Sequence, residues 1–251
     1  MSAPPILATR NLGLDIGGAT IVSDVGLEVR EGELLAVIGP NGAGKTTLFN
    51  LVSGLLRPTT GTVEFAGADI TGAPPFKRTR AGIGRTFQVS NVFPLLSSLE
   101  NVRLSAEAAL GGTWHIWRRA NGVRAAVERA RSALERVGLA GHEDWPAGML
   151  SHGDKRKLEL AMVLAGESRL ILLDEPMAGV SMEDVPGLVE LIRSVHGEGK
   201  TVLMVEHHME VVTGLAERIA VLHHGSLLAV DTPEAIMQNE TVQQAYLGEP
   251  I

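Results

Sequence analysis

The segment GPNGAGKT, residues 39–46, is built for phosphate. It fits the pattern G-x-x-x-x-G-K-[ST], with an apolar strand-like run before it and a helix-like run after it. Gly39, Gly42 and Gly44 let the backbone curl so that its N–H groups point inward. Pro40, Asn41 and Ala43 complete the turn, and Thr47 continues it into the helix. Lys45 supplies a point charge for the outer phosphates, and Thr46 a hydroxyl for Mg²⁺. The start of the following helix adds a favourable dipole.

Two further stretches complement that loop. LILLDE, residues 170–175, ends an apolar run in two acids. In open parallel α/β sheets ligands bind outside the carboxyl ends of the strands. Asp174 is placed there to hold magnesium, and Glu175 to accept a proton from an attacking water. TVLMVEHH, residues 201–208, puts His207 at the end of another such run, where an imidazole can donate to a terminal phosphate. His208 reads as a solvated loop histidine. Gln88 follows the short run GIGRTF, and an amide there reaches the metal or the water.

LSHGD, residues 150–154, gathers a serine, a histidine and an aspartate. A nucleophilic triad assembles from separated parts of a chain, and neighbours at i and i+1 do not face each other on a helix. The local reading is a helix start of the capping-box type, Ser151 with Asp154 three residues later. A helix start binds anions.

The elements that position these residues follow from hydrophobic pattern. ELLAVI (33–38), LILLD (170–174) and TVLMVE (201–206) are continuous apolar runs, as in strands buried on both faces. TTLFNLVSGLL after the phosphate loop and residues 183–196 read as helices. GTVEFAG (61–67) alternates like a half-exposed strand, and GIGRTF (82–87) is a short strand candidate. From about 98 to 138 the pattern is helical, with Val127, Ala130, Leu134 and Val137 on one stripe. IAVLHHGSLLAV (219–230) reads as two strands about Gly225, and Thr232-Pro233 opens a helix. Strands alternating with helices indicate a parallel sheet, with residues of roughly 91–165 as a helical insert.

Composition narrows the class. The 251 residues are 45% hydrophobic, with net charge −7 and no cysteine. That excludes thiolate metal sites and disulfides, and argues against a basic surface for nucleic acid or anionic lipid. No apolar run approaches a membrane span, and MSAPPILATR lacks the features of a secretion signal. Work at a membrane would mean docking on something already there. WHIWRR (114–119) reads as packing within the helical insert in preference to a membrane-surface patch.

Lys45 and Asp174 lie about 130 positions apart, too far for a compact GTPase core, and no N-K-x-D guanine-reading motif occurs. The set GPNGAGKTT, RTFQ, LSHGDKRKLELA, LILLDEP and VEH, in this order, resembles the ATP-binding subunit of an ABC transporter over nearly the whole chain. RTFQVSNVFPLLSSLENV, DEPMAGVSMED, VEHHMEVV and AYLGEP are similar to the ATPases of the branched-chain amino-acid importer family, whose members also serve urea, amides and other small solutes. The resemblance implies an α/β P-loop NTPase (RecA-like) parallel core with an antiparallel β subdomain and an inserted helical subdomain. A single cassette over 1–251 is expected, with core 1–90 and 166–251 and signature subdomain 91–165. It implies ATP and Mg²⁺ as ligands, and Gln88, Glu175 and His207 as catalytic groups. It also implies a second ATPase subunit, identical or related, stacked head to tail, so that Ser151 and Gly153 contact the partner's ATP. Membrane permease subunits, reached through Gln88 and its following loop, a periplasmic or extracellular solute-binding protein acting indirectly, and a peripheral place at the cytoplasmic face of the inner membrane complete the expectation.

Three features depart from the family pattern. His152 and Asp154 alter the LSGGQ signature; Asp154 is expected to fold back as a cap, with Lys155 and Arg156 offsetting its charge. Ser181 stands where an aspartate is usual in the loop after the acid pair Asp174–Glu175. Ile16 falls where an aromatic ring usually stacks on adenine; it packs on a base but has no π face. A soluble ABC ATPase of DNA repair or translation would carry two cassettes, a long coiled coil or a basic surface, none of which is visible. A nucleotide-gated structural protein would not need the pair Asp174–Glu175.

Overall fold

The computed structural model describes residues 4–86, 92–110 and 116–247. Gln88 lies outside these residues, as do the side chains of 116–122 and with them the packing of WHIWRR. Along the chain run β1 (Leu7–Ile16), β2 (Ala19–Val29), β3 (Leu34–Ile38), α1 (Lys45–Ser53), β4 (Thr60–Phe65), β5 (Ala68–Asp69) and α2 (Pro75–Ala81). Next come β6 (Ile83–Arg85), α3 (Ser98–Ala109), α4 (Ile116–Arg136), α5 (His152–Ala165), β7 (Leu170–Asp174) and α6 (Val185–Gly197). The chain continues through β8 (Thr201–Val205), α7 (Met209–Leu215), β9 (Arg218–His223), β10 (Ser226–Asp231), α8 (Pro233–Gln238) and α9 (Glu240–Leu247). Among the described residues no helix is long and apolar enough to cross a membrane.

Contacts divide the chain into two units. The first comprises residues 1–78, 172–175 and 196–251. Its antiparallel sheet has the order β2-β1-β4-β5. Gly17 and Gly18, at φ 59° and 86°, make the two-residue turn that pairs Ile16 with Ala19. Along β2 the last residues alternate exposed and buried, the signature of a sheet with one wet face. The other sheet runs β10-β9-β3-β8-β7, with β3 parallel to both β8 and β9. Every residue of β3, β7 and β8 is buried, as the uninterrupted apolar runs require. The turn at Gly225 joins the sheets: its carbonyl accepts from Ser23 N at 2.8 Å. A Cβ on Gly225 would come within 2.6 Å of the Ile21 carbonyl, so no larger residue fits.

The second unit comprises residues 79–171 and 176–195. Here β6 meets the start of β7, with Leu170 N donating to Gly82 O at 3.0 Å. Helices α3, α4 and α5 pack mutually around Val102, Ala106, Ala126, Ala130, Leu134, Leu158 and Ala161, all fully buried. The α4 stripe runs one residue earlier than its periodicity suggests at one point: Ala126 is buried and Val127 half-buried. Small alanines there let the helices approach closely, and the larger valine is turned toward the edge. Ser97 caps α3 by accepting from Glu100 N at 3.1 Å. Fully buried Asn101 donates to the carbonyls of Phe93, Leu96 and Ser97 and accepts from Phe93 N, which fixes the loop before α3.

Candidate nucleotide-binding site

In the first unit the phosphate loop leaves β3 and enters α1 at Lys45. Gly39 has φ 155°, and a Cβ there would lie 2.2 Å from the Leu222 carbonyl. The loop is therefore pressed against the β9 backbone, which only glycine permits. Gly42 is different. At φ 79° it has nothing within 4 Å of a Cβ position, so the space beside it is open. The first turn of α1 carries no acidic residue, which leaves the positive end of the helix unopposed. Lys45 is only 9% exposed, and its Nζ donates to Gly39 O at 2.6 Å and Pro40 O at 2.9 Å. Burial lowers its pKa from the ordinary lysine value, and the nearby Glu175 carboxylate opposes that shift. Thr46 is exposed and Thr47 half-buried.

In the order β3-β8-β7, the loop after β3, the histidines after β8 and the acids after β7 leave one sheet edge. Asp174 is 1% exposed. Glu175 is half-buried and takes φ 49°, the left-handed region, which costs a residue with a Cβ about 1–2 kcal/mol. Its N–H donates to Val205 O at 2.9 Å, which holds the bend. His207 is exposed, and the two residues around it form a cluster that the motif alone does not show. Glu206, fully buried, accepts from His207 N at 2.8 Å, from His208 N at 3.1 Å and lies 3.0 Å from His208 Nδ1. His208 is an exposed loop residue, as read from the sequence, and is in addition tied to a buried carboxylate. An acid closing an apolar strand at the same edge as Asp174 was the available signal for Glu206. Ile16, 54% exposed, stands at the end of β1 beside the glycine turn.

In the second unit Ser151 caps α5: its Oγ accepts from Asp154 N at 3.1 Å. Asp154 reaches back to the Ser151 hydroxyl, which donates to it at 3.0 Å, and not to the backbone N–H of a full capping box. Its charge is met by Lys157 at 3.0 Å. Arg156, expected to share that task, is directed instead at Glu159 (2.9 Å) and the Ala178 carbonyl (3.2 Å). Burial pulls the Asp154 carboxyl upward, but Lys157 and Ser151 outweigh it, so the net shift is below the ordinary aspartate value. Its contribution to α5 is therefore present at neutral pH and is lost as pH falls through the carboxylate range. Gly153 faces Asp184, whose Oδ2 would lie 3.1 Å from a Cβ at 153. Asp184 accepts from the Ser181 hydroxyl at 2.7 Å. SHGD and SMED share the Ser-x-x-Asp pattern, the signal that could have found Asp184. Asp154→Ala should lower stability by about 0.3–1 kcal/mol, the range for a carboxylate at a helix start, and ATPase with it. Thermal unfolding beside phosphate release checks this; faster turnover at unchanged stability would reject it.

A glycine-cradled lysine at a helix start, with an acid pair two strands away on a parallel sheet, defines a P-loop nucleotide-binding fold. The chain belongs to the ABC transporter family, as an ATPase subunit of its branched-chain amino acid importer branch. Residues 22–178 match the ABC transporter family profile, and residues 226–250 match that of the branched-chain amino acid ATP-binding cassette transporter. The chain is 38% identical over 253 residues to the high-affinity branched-chain amino acid transport ATP-binding protein LivG of Salmonella typhimurium, covering 98% of each. Among solved structures, it is similar to the ADP conformation of MJ1267, an ATP-binding cassette of an ABC transporter. The TM-score is 0.84 at 27% identity, covering 98% of this chain and 99% of that one. It is also similar to a dimeric post-hydrolysis state of the cassette MJ0796 bound to ADP and Pi. There the TM-score is 0.77 at 26% identity, covering 90% and 98%.

Proposed function

We propose that this chain energises import of branched-chain amino acids or a related small polar solute such as urea or an amide. The likeness to LivG over nearly the full length of both chains carries this reading. The ATPase works as one of two stacked subunits, identical or related, docked on membrane permeases at the cytoplasmic face of the inner membrane. A solute-binding protein delivers cargo from the other side. Support for a pair comes from the dimeric cassette above. Support for docking comes from the loop before α3, where Phe93 is 54% and Leu95 92% exposed beside Met149 at 72%. Asn101 holds that apolar loop in place. Co-purification with the permeases, then ATPase stimulation by candidate solutes and their binding protein, tests the whole reading. No stimulation by any branched-chain amino acid, urea or amide would overturn it.

In the site, the loop 39–44 and Lys45 hold the phosphates. Thr46 and Asp174 offer oxygen donors that suit Mg²⁺, joined by Gln88, and the ion when bound neutralises phosphate charge. Glu175 takes the proton of the attacking water, and His207 donates to the terminal phosphate. Ser151 and Gly153 address the partner's ATP, where several donors closed off from water act on one phosphate. Hydrolysis then reopens the pair, and that motion passes to the permeases.

Ile16 touches the base through aliphatic atoms alone, which do not read hydrogen-bonding edges. The kcat/KM for GTP should therefore lie within about tenfold of that for ATP, a difference under 1.4 kcal/mol. Parallel ATP and GTP turnover measurements check it; a preference beyond hundredfold would mean a polar group reads the base.

A further inference from the structure

Strand β8 ends in a buried carboxylate followed by two imidazoles. Glu206 Oε2 lies 3.0 Å from His208 Nδ1 and 3.8 Å from His207 Nδ1. The rings stand 4.3 Å apart, tilted by 34°, so both nitrogens address the same oxygen. One ligand atom from each of the three residues falls within 4.8 Å of the others. A tetrahedral zinc site with bonds of about 2.0–2.1 Å keeps its ligands about 3.3–3.4 Å apart. The two carboxylate separations straddle that value and the imidazole nitrogens lie within 4.8 Å of each other, so rotation of the exposed rings is what would close the site. The His207 and His208 backbone N–H groups bond to that same Oε2 and fix its position, as outer partners of metal ligands do. The imidazoles are 57% and 48% exposed, which leaves entry for a cation and room for water as a fourth ligand. Two imidazoles and one carboxylate favour a zinc-class ion over Mg²⁺, which prefers oxygen.

We propose that Glu206, His207 and His208 form a binding site for a zinc-class transition-metal dication, through which such an ion slows ATP hydrolysis. The ion takes the place of the proton that His208 Nδ1 donates to Glu206, which moves to Nε2 of that ring or leaves to solvent, and it binds the His207 Nδ1 lone pair and pins that ring. The slowing rests on His207 facing the terminal phosphate, as proposed above; the binding does not.

The test uses the full chain without an affinity tag, free of nucleotide, titrated with Zn²⁺ by calorimetry and with Co²⁺ by visible absorption. Three proteins are compared: the parent, His208→Asn and His224→Asn. Position 208 is the cap of α7, and asparagine is a preferred cap, so the first variant should fold. His224 belongs to a separate histidine pair at the β9–β10 turn, with ring centroids 4.0 Å apart. One ion per chain is expected, with tetrahedral cobalt bands, and His208→Asn should weaken binding at least about tenfold. His224→Asn should bind as the parent does. Equal binding by parent and His208→Asn, or loss in His224→Asn, would overturn the site. In a second arm, Zn²⁺ is titrated into the Mg²⁺-ATPase assay. The parent should slow, and His208→Asn should need a correspondingly higher concentration. Binding without any slowing supports the site and overturns its link to His207.

Discussion

Glu175→Gln should lower ATP turnover by about 10²–10⁴-fold, the usual contribution of a positioned general base. In barrier height that is about 2.7–5.4 kcal/mol. The amide is nearly the same shape as the carboxylate but takes no proton from water. Backbone strain is unaffected: φ 49° is as costly for glutamine as for glutamate, and the bond to Val205 O does not involve the side chain. Removing the negative charge near Lys45 also relieves repulsion of phosphate, so nucleotide binding should persist or tighten. The variant should accumulate as an ATP-bound dimer, visible by size exclusion in ATP and absent in ADP. Near-normal phosphate release would reject Glu175 as the base.

Arg78→Met should cost on the order of 3–5 kcal/mol of stability. The Arg78 residue is 1% exposed, and its guanidinium spreads over four carbonyls. Nη1 donates to Leu51 O and Val52 O, both at 2.7 Å, Nη2 to Thr71 O at 2.9 Å and Nε to Ala73 O at 3.0 Å. Leu51 and Val52 lie in the last turn of α1, where the helix end is negative; the Leu51 carbonyl accepts in addition from the cap Gly54 N–H, at a long 3.3 Å. Gly54 leaves room for the fork, since a Cβ there would meet Nε at 2.7 Å. Burial lowers the pKa of Arg78 from the ordinary arginine value, with Asp69 opposing. Methionine fills the volume but leaves those carbonyls without the donor. Lysine should rescue little, because one ammonium does not reproduce a planar fork. Urea unfolding measures this; a loss under 1 kcal/mol would show the carbonyls find other donors. The same helix carries Lys45 at its opposite end, so ATP affinity should fall with stability.

How much of this was legible depended on whether the signal was local. LILLD coincides with β7 because four uninterrupted apolar residues before an acid suit a short strand buried on both faces. The start of α5 at Ser151, the turn at Gly225 and the cap at Thr232 follow from residues within four positions of each other. Arg78 was not legible. In KRTR it looks like a solvated charge, and its partners on α1 lie 26 and 27 positions away. Glu206 was half legible: its place at a strand end was readable, but not that it would be fully buried beneath two histidines. The pairing of Asp154 with Lys157 in preference to its nearer neighbours depends on which face of α5 each residue takes. Asp184 beside Gly153 required a contact between α5 and the turn before α6, residues 31 positions apart.

The lysine that clasps two carbonyls of its own loop makes the cradle a preset mould. Its curvature is established once, when the chain folds, and is not reassembled around each incoming guest. Exchange of spent for fresh nucleotide then asks no refolding of the loop, only a swing of the Lys45 side chain off its two carbonyls.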